Sequence, residues 1–121
     1  MEKPTLEQLN EIRKEGFRPG VVACIIHNKK ILLFFKKEYQ LWMLPQGGIN
    51  NKEEPGKALE RTLIEELGVN FTKQLDFEKV AYLDSDRMEF MPGKHSVGNL
   101  EDDGGNPIEM LGKEYYFSVV E

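Results

Sequence analysis

Residues 42–69 constrain the fold more than any other part of this 121-residue chain. A strand is predicted to end at Pro45, because proline has no N–H to donate to a neighbouring strand. The glycine loop at residues 46–48 allows the backbone to approach a ligand closely. A helix follows, since Pro55 suits a first helical turn and Gly68 suits the left-handed residue just past a helix end. The order strand, glycine loop, helix is therefore predicted.

Two adjacent carboxylates, Glu65 and Glu66, lie near the C-terminal end of this predicted helix. The helix macrodipole disfavours anions there, and a divalent cation would remove the penalty. Hard oxygen ligands of this kind suit Mg²⁺ or Mn²⁺. The alternative is a solvated acidic helix end, which the two glutamates alone would favour. Position 62 shares the surface of residues 65 and 66, because residues three and four apart are neighbours on a helix.

The spacing across residues 47–69 resembles the Nudix box, G-x5-E-x7-R-E-U-x-E-E-x-G-U, where U is aliphatic. Every defined position except one matches. The matching residues are Gly47, Glu53, Arg61, Leu63, Glu65, Glu66, Gly68 and Val69. The exception is Thr62, which stands where the box has glutamate.

The resemblance to the Nudix family implies an α/β/α sandwich with a mixed β-sheet and a divalent metal site. In that family the residues at the positions of Glu65 and Glu66 bind metal, helped by the backbone carbonyl of Gly47. Glu53 and Arg61 are implied to pair and to hold the loop on the helix.

Thr62 occupies the position that supplies a further metal ligand or base in the family. A threonine hydroxyl is not ionised at neutral pH, so it cannot act as an ionised ligand or as a base. The substitution therefore predicts weakened hydrolysis, with metal binding reduced rather than lost.

Three flanking stretches look like the diadenosine tetraphosphate hydrolases and bacterial RNA 5′-pyrophosphohydrolases within this family. They are F-R-P-G-V-V, W-M-L-P-Q-G-G-I-N and G-K-E-Y-Y-F-S-V-V. The likeness adds Arg18 as a phosphate contact, with Gln46, Gly48 and Lys113 as further substrate-binding residues. Tyr116, Lys36 and Lys37 are weaker candidates. The alternative for Arg18 is an ordinary surface turn residue.

The favoured function is metal-dependent hydrolysis of a pyrophosphate linkage in a substrate that contains a nucleoside diphosphate. The resemblance favours a dinucleoside polyphosphate or a 5′-triphosphate RNA end. One alternative is a non-catalytic module that binds a nucleotide or an RNA end. Another is a house-cleaning pyrophosphatase for nucleoside triphosphates or nucleotide sugars.

Charge and hydrophobicity limit the kinds of molecule that the protein is expected to bind. A net charge of −5 argues against general nucleic-acid binding, so an anionic substrate requires a local basic patch and metal. The longest apolar runs are too short to span a bilayer. No charged-then-apolar leader opens the chain, which predicts a cytoplasmic protein. Cys24 lies in an apolar strand pattern and is predicted to be a small buried hydrophobe.

The chain is predicted to form a single domain over residues 1–121. A capped helix is expected at about residues 5–15, and its function cannot be inferred from the sequence. A mobile polar insertion without strands is expected at about residues 94–111. A turn is predicted at 17–20.

Strands are expected at residues 21–27, 31–37, 41–44 and 115–120, the first two as a hairpin, with a further strand through 78–83 and another possible one at 87–91. The last strand reaches the end of the chain, so the family's C-terminal helix is expected to be missing. Apolar surface exposed by its absence would favour self-association.

Overall fold

Helices and strands follow one another along the chain in an order that builds a mixed α/β fold. The computed structural model describes the backbone of residues 1–121 and the side chains of residues 1–95 and 100–121. The helices are α1 (Leu6–Lys14), α2 (Pro55–Leu67) and the short α3 (Val69–Thr72), followed by a 3₁₀ turn at Phe77–Lys79. The strands are β1 (Phe17–His27), β2 (Lys30–Ile31), β3 (Phe34–Lys36), β4 (Leu41–Met43), β5 (Gln46–Gly48), β6 (Ala81–Glu89), β7 (Ser96–Glu101), β8 (Pro107–Met110) and β9 (Gly112–Val120).

Strand β1 organises the main sheet. It pairs in parallel with β9, from Phe17 opposite Gly112 to Ile25 opposite Val120. It also pairs antiparallel with β5 and with β2, and β6 extends the sheet beyond β9 in antiparallel orientation. Parallel and antiparallel neighbours in one sheet confirm the predicted mixed α/β fold.

The hydrophobic core lies where α1 and α2 contact the main sheet. Burial of apolar side chains contributes roughly 25 cal/mol for each Å² removed from water, which is the main force holding these elements together. The buried core residues are Leu9, Ile12, Phe17, Val21, Ala23, Ile25, Ile49, Ala58, Leu59, Leu63, Tyr82, Tyr116 and Val120. Every helix in the described chain is too short or too polar to cross a bilayer.

Local signals set the helix ends as predicted. Thr5 and Gln8 form a capping box at the start of α1, each side chain accepting from the other residue's backbone N–H. Pro55 occupies the first turn of α2. Gly68 ends α2 with a φ of 90°, which a residue with a side chain rarely adopts.

Two segments predicted as irregular are strands instead. Residues 17–20, predicted as a turn, form the first part of β1, because β9 lies beside them as a parallel partner. Residues 46–48, predicted as a loop, form β5 and pair with β1. Pro19 fits this strand because only its carbonyl is used there, accepting from the N–H of Ile49 at 3.0 Å.

The hairpin predicted from residues 21–27 and 31–37 is only partly correct. Its second strand is divided, so that β2 pairs with β1 while β3 pairs with β4 in a separate two-stranded sheet. The division follows residues 32–33, where Leu32 N–H donates to the Ile25 carbonyl and the next strand changes partner.

Residues 94–111, predicted as an insertion without strands, contain β7 and β8 as an antiparallel pair. The acidic and glycine-rich residues that suggested disorder form the turn between them. Asp102 holds that turn by accepting hydrogen bonds from the backbone N–H groups of Gly104 and Asn106, both at 2.9 Å.

Candidate functional site

The box loop (residues 47–54) leads from β5 into α2 and is held by one ion pair. Arg61 donates from Nε to Glu53 Oε2 and from Nη2 to Glu53 Oε1, both at 2.9 Å. Glu53 Oε1 also accepts from the backbone N–H of Asn50 at 3.0 Å. Two parallel charge-assisted bonds fix both the distance and the plane of the pair. The structure thus brings together two residues that the box spacing links.

Arg61 connects this pair to the glycines and to the acidic end of α2. Its Nη2 donates to the Gly48 carbonyl at 2.7 Å, and its Nη1 donates to Glu65 Oε1 at 3.2 Å. The hydrogen bonds from Arg61 lower the pKa of Glu53, although partial burial opposes the shift. The same carboxylates raise the already high pKa of Arg61. The pair therefore remains ionised across the neutral range.

Thr62 does not share the exposed surface of Glu65. Its side chain is 1% exposed and packs beneath Gly47, where an added Cβ would lie 2.9 Å from Thr62 Cγ2. Its hydroxyl has no hydrogen-bond partner among the described residues. Residues 62, 65 and 66 were predicted to share a surface, but Thr62 is buried where Glu65 is exposed, because Gly47 of β5 packs against Thr62.

The isolated hydroxyl of Thr62 leads to a stability prediction. We expect Thr62→Val to raise the free energy of unfolding by about 1 kcal/mol, because a buried hydroxyl without a partner is costly. Thr72→Val is the matched control: Thr72 is also buried, but its hydroxyl donates to the Gly68 carbonyl at 2.7 Å, so its loss should destabilise. Urea unfolding of both variants measures the difference. Destabilisation by Thr62→Val would contradict the assignment.

Glu65 and Glu66 differ in their surroundings. The Glu65 side chain is 62% exposed and is already paired with Arg61. Glu66 is half-buried and has no ion pair or side-chain hydrogen bond among the described residues. Within the part of the chain whose side chains are described, no three His, Cys, Asp or Glu residues form a metal-binding group. A metal would therefore depend on two carboxylates, backbone carbonyls and water.

The carbonyl of Gly47 is partly committed to the sheet. Gly47 lies opposite Val21, and the pairs two residues away on either side are joined by hydrogen bonds from the Ala23 N–H to the Pro45 carbonyl and from the Ile49 N–H to the Pro19 carbonyl. Bonded and non-bonded pairs alternate in antiparallel strands, so Gly47 and Val21 form a bonded pair. A carbonyl has a second lone pair, and this remains for a ligand. The donors are all hard oxygens, so their chemistry fits Mg²⁺ or Mn²⁺.

A cleft of about 290 Å³ lies on the other face of β5. It collects Arg18, Gln46, Gly48 and Lys113, the four residues predicted to bind substrate. The remaining lining residues are Pro19, Gly20, Lys36, Tyr39, Met43, Gly47 and Tyr115. Three of the lining side chains are cationic, and none of the described ones is acidic. Although the net charge of the protein is −5, the lining of this cleft suits an anion.

Arg18 and Lys113 are direct neighbours in this cleft. They are opposite each other in the parallel pairing of β1 with β9. Like charges placed opposite each other destabilise a sheet, and an anion between them would remove that penalty. The Arg18 guanidinium lies across Gly48, where an added Cβ would be 3.2 Å from Nε. Glycine at position 48 therefore leaves room for the arginine.

Of the weaker candidates, only Lys36 lines the cleft. Lys37 does not contribute to it. Tyr116 is buried, donates from its hydroxyl to Glu114 at 3.1 Å and has a pKa raised by burial and by that carboxylate. Lys37 and Tyr116 are therefore not placed to contact a ligand in the cleft.

Tyr39 and Tyr115 are lining residues that the sequence did not reveal. Tyr39 is 61% exposed, and the Lys36 ammonium lies 5.5 Å from its ring centre. An exposed ring beside a cation can stack on a base. The stretch K-K-E-Y at residues 36–39 was the available signal, but a lysine pair before a tyrosine is too common to be specific.

Comparison with known proteins places this geometry in a family. The sequence profile described as the NUDIX domain matches residues 16–109. The RNA pyrophosphohydrolase of Blochmanniella pennsylvanica is 40% identical over 62 residues, which cover 50% of this chain and 39% of that protein. The RNA pyrophosphohydrolase of Ectopseudomonas mendocina is 41% identical over 59 residues, or 48% of this chain and 37% of that protein. The chain thus spans less than half the length of the curated relatives that it matches.

A solved structure supports the fold. The E. coli dihydroneopterin triphosphate pyrophosphohydrolase superposes with a TM-score of 0.53 at 11% identity, covering 85% of this chain and 69% of that one. Likeness at this identity concerns the fold alone. The family profile, which covers most of the chain, shows that the protein belongs to the Nudix family.

Proposed function

We propose that the protein is a metal-dependent pyrophosphohydrolase that cleaves a phosphate–phosphate linkage at the 5′ end of RNA or in a dinucleoside polyphosphate. The observation that carries the proposal is the cationic cleft beside the box loop. Arg18, Lys36 and Lys113 line it, together with Gly47 and Gly48 of the box loop. A polyphosphate chain would supply negative charge that none of the described lining side chains provides.

Different residues would bind the phosphates and the metal ion. Arg18 and Lys113 would hold phosphate oxygens, and Gln46 would donate an amide hydrogen bond. Glu66, Glu65 and the second lone pair of the Gly47 carbonyl would hold Mg²⁺ or Mn²⁺, in keeping with the general divalent-metal dependence of the family. A divalent cation supplies charge stabilisation to phosphate oxygens and lowers the pKa of bound water. The buried Thr62 contributes neither a ligand nor a base.

Two observations favour an RNA 5′ end within this class. The relatives that match this chain are named RNA pyrophosphohydrolases. Tyr39 is exposed at the cleft and Tyr115 lines it, so that unpaired bases could stack there. A dinucleoside polyphosphate would present the same phosphates and one stacked base.

The proposal is tested by incubating the full chain with 5′-triphosphate RNA, a dinucleoside tetraphosphate or nucleoside triphosphates. Each reaction is run with Mg²⁺, with Mn²⁺ and with chelator, and released phosphate and pyrophosphate are measured. We expect metal-dependent release from RNA, slower than in typical enzymes because position 62 is not glutamate. Absence of release from every substrate would contradict the proposal.

Arg18→Met tests the cleft directly. We expect the KM for 5′-triphosphate RNA to rise by about tenfold or more, because a hydrogen bond between charged groups is worth about 1.5–3 kcal/mol. Thermal stability should stay the same or increase, since the substitution removes repulsion with Lys113. Lys79→Met is the control, because Lys79 is exposed and remote from the cleft. An unchanged KM for Arg18→Met would show that phosphates bind elsewhere.

A binding module is the second candidate. It is favoured by the missing glutamate at position 62 and by the absence of a three-residue acidic or histidine cluster among the described side chains. The same cleft would then hold an RNA 5′ end without turnover. Tight binding of 5′-triphosphate RNA that Arg18→Met weakens, together with no product under any metal condition, would favour this candidate over the hydrolase.

A further inference from the structure

Two arginines bind three successive carbonyl groups of the box loop. Arg61, on α2, donates to the carbonyl of Gly48 at 2.7 Å. Arg13, on α1, donates from Nη2 to the carbonyls of Ile49 at 3.1 Å and of Asn50 at 3.0 Å. The loop is therefore held from the helix that follows it and also from a helix far upstream. The arginine of this second contact, Arg13, lies outside the Nudix box.

Arg13 is fixed in place because it is buried. Its side chain is 2% exposed, and its Nη1 lies 3.3 Å from Asp103 Oδ1. Burial lowers the pKa of Arg13, whereas the Asp103 carboxylate opposes that shift. A buried cation needs a nearby anion and a full set of acceptors. Asp103 and the two loop carbonyls supply them.

Asp103 joins three parts of the chain. Besides the Arg13 guanidinium, its carboxylate accepts from the side-chain amide of Asn51, in the box loop, at 3.0 Å. Its backbone N–H donates to Asn10 Oδ1, on α1, at 2.8 Å. The Asn51 amide also donates to the Glu101 carbonyl at the end of β7 at 2.9 Å. The turn after β7 thus contacts both α1 and the box loop.

We propose that Arg13 and Asp103 are positioning residues that hold the box loop in its working conformation. This inference rests on the proposed function. Arg13 lies before the region that the family profile matches, which begins at residue 16. The proposal gives a role to α1 and to the β7–β8 pair, neither of which contributes a described side chain to the cleft. Displacing a bound substrate or metal ligand by about 1 Å can reduce a rate by about 100-fold, which is why such support matters.

The test compares variants that loosen the loop with one that loosens only α1. Asp103→Asn keeps the shape but removes the charge facing Arg13, and Asn51→Ala removes the hydrogen bonds from the loop to Asp103 and to the Glu101 carbonyl. Arg13→Lys keeps the charge but cannot reproduce the forked donors. Glu15→Gln is the control. Glu15, at the end of α1, pairs with Arg87 at 2.6 Å and has no described contact with the box loop.

Three quantities are measured for each full-length variant: kcat, KM for 5′-triphosphate RNA, and amide hydrogen exchange of residues 49–53. We expect Asp103→Asn and Asn51→Ala to lower kcat by about 10- to 100-fold, as for other groups that orient ligands, with little change in KM. Exchange in residues 49–53 should rise in both. Arg13→Lys should retain part of the activity, and Glu15→Gln should resemble the wild type.

The proposal is overturned if Asp103→Asn and Asn51→Ala match Glu15→Gln in both kcat and loop exchange. It is also overturned if they raise KM while loop exchange stays at the wild-type level. If the wild type hydrolyses none of the substrates, loop exchange alone decides, and this separates the positioning role from the proposed function. If Asp103→Asn does not fold, the result for Asn51→Ala decides, because loss of the Asn51 side chain leaves the buried Arg13 paired with Asp103.

Discussion

Glu66→Gln is expected to reduce the rate of metal-dependent hydrolysis by at least about 100-fold. Residues that only orient a metal ligand cost up to about 100-fold when they are replaced, and a direct ligand should cost at least as much. Glu66 is the half-buried carboxylate at the end of α2 that has no described ion-pair partner, so its charge is free to bind a cation. Glutamine retains the size and one oxygen but loses the negative charge. The rate is measured with 5′-triphosphate RNA over a range of Mg²⁺ concentrations.

Glu65→Gln should have a smaller effect than Glu66→Gln. The Glu65 carboxylate is exposed and already shared with Arg61 at 3.2 Å, so part of its charge is neutralised before metal binds. Glu60→Gln serves as the control, because Glu60 lies on α2 in a separate depression with Ile64 and Val69. Equal losses for residues 60 and 66 would show that the effect is not specific to the proposed site.

Metal binding provides a readout that does not depend on turnover. A ligand at ten times its Kd stabilises the folded state by about 1.4 kcal/mol, so saturating Mg²⁺ should raise the melting temperature of the wild type. The rise should be absent in Glu66→Gln and present in Glu60→Gln. A wild-type melting temperature that does not respond to millimolar Mg²⁺ or Mn²⁺ would falsify the metal site.

Arg61→Met is expected to lower the free energy of unfolding by about 2 kcal/mol, between the values for exposed and buried ion pairs. The substitution removes both bonds to Glu53 and the bond to the Gly48 carbonyl. It leaves the Glu53 carboxylate, whose side chain is 18% exposed, with only the Asn50 N–H. Urea unfolding at pH 7 measures the loss, and Arg61→Lys should recover only part of it.

The contribution of Glu53 should depend on pH in one direction. Hydrogen bonds from Arg61 lower its pKa in the folded protein below the ordinary glutamate value of about 4.3. The folded state is therefore favoured by ionised Glu53 above that ordinary value, and the benefit is lost as pH falls through the lowered folded pKa. The stability difference between the wild type and Glu53→Gln should be full at pH 7 and should shrink below about pH 4.

The adjacent residue offers the control for this prediction. Glu54 forms only an exposed pair with Lys3 at 3.6 Å. Exposed pairs contribute at most about 1 kcal/mol, so Glu54→Gln should change stability little at any pH. If Glu53→Gln behaved like Glu54→Gln, the ion pair would have no structural role.

The ends of α2 and the pairing of Glu53 with Arg61 were predictable because the signals are local. Pro55 has a fixed φ that suits a first helical turn, and Gly68 tolerates the positive φ that ends the helix. Glu53 and Arg61 lie eight residues apart, on either side of the helix start, and the helix brings them together. Local angles and short spacings depend on few other residues, so a pattern of residue types suffices to find them.

The strand at residues 17–20 and the burial of Thr62 were not predictable in this way. The first depends on β9, which begins at Gly112. The second depends on β5, which places Gly47 over one side of α2. Helix periodicity places residues 62, 65 and 66 on one surface, but it does not say which part of that surface another strand covers.

The sequence by itself determined the helix of the box, the family and four of the residues that line the cleft, because these features lie in the box and in its recognisable flanks. Only the tertiary structure decided how those residues are supported. Arg13 reaches carbonyl groups 36 and 37 residues away and a carboxylate 90 residues away, at positions that no periodicity or spacing connects. Such contacts form when separate elements pack together, and a buried charge then finds its partners wherever the fold has placed them.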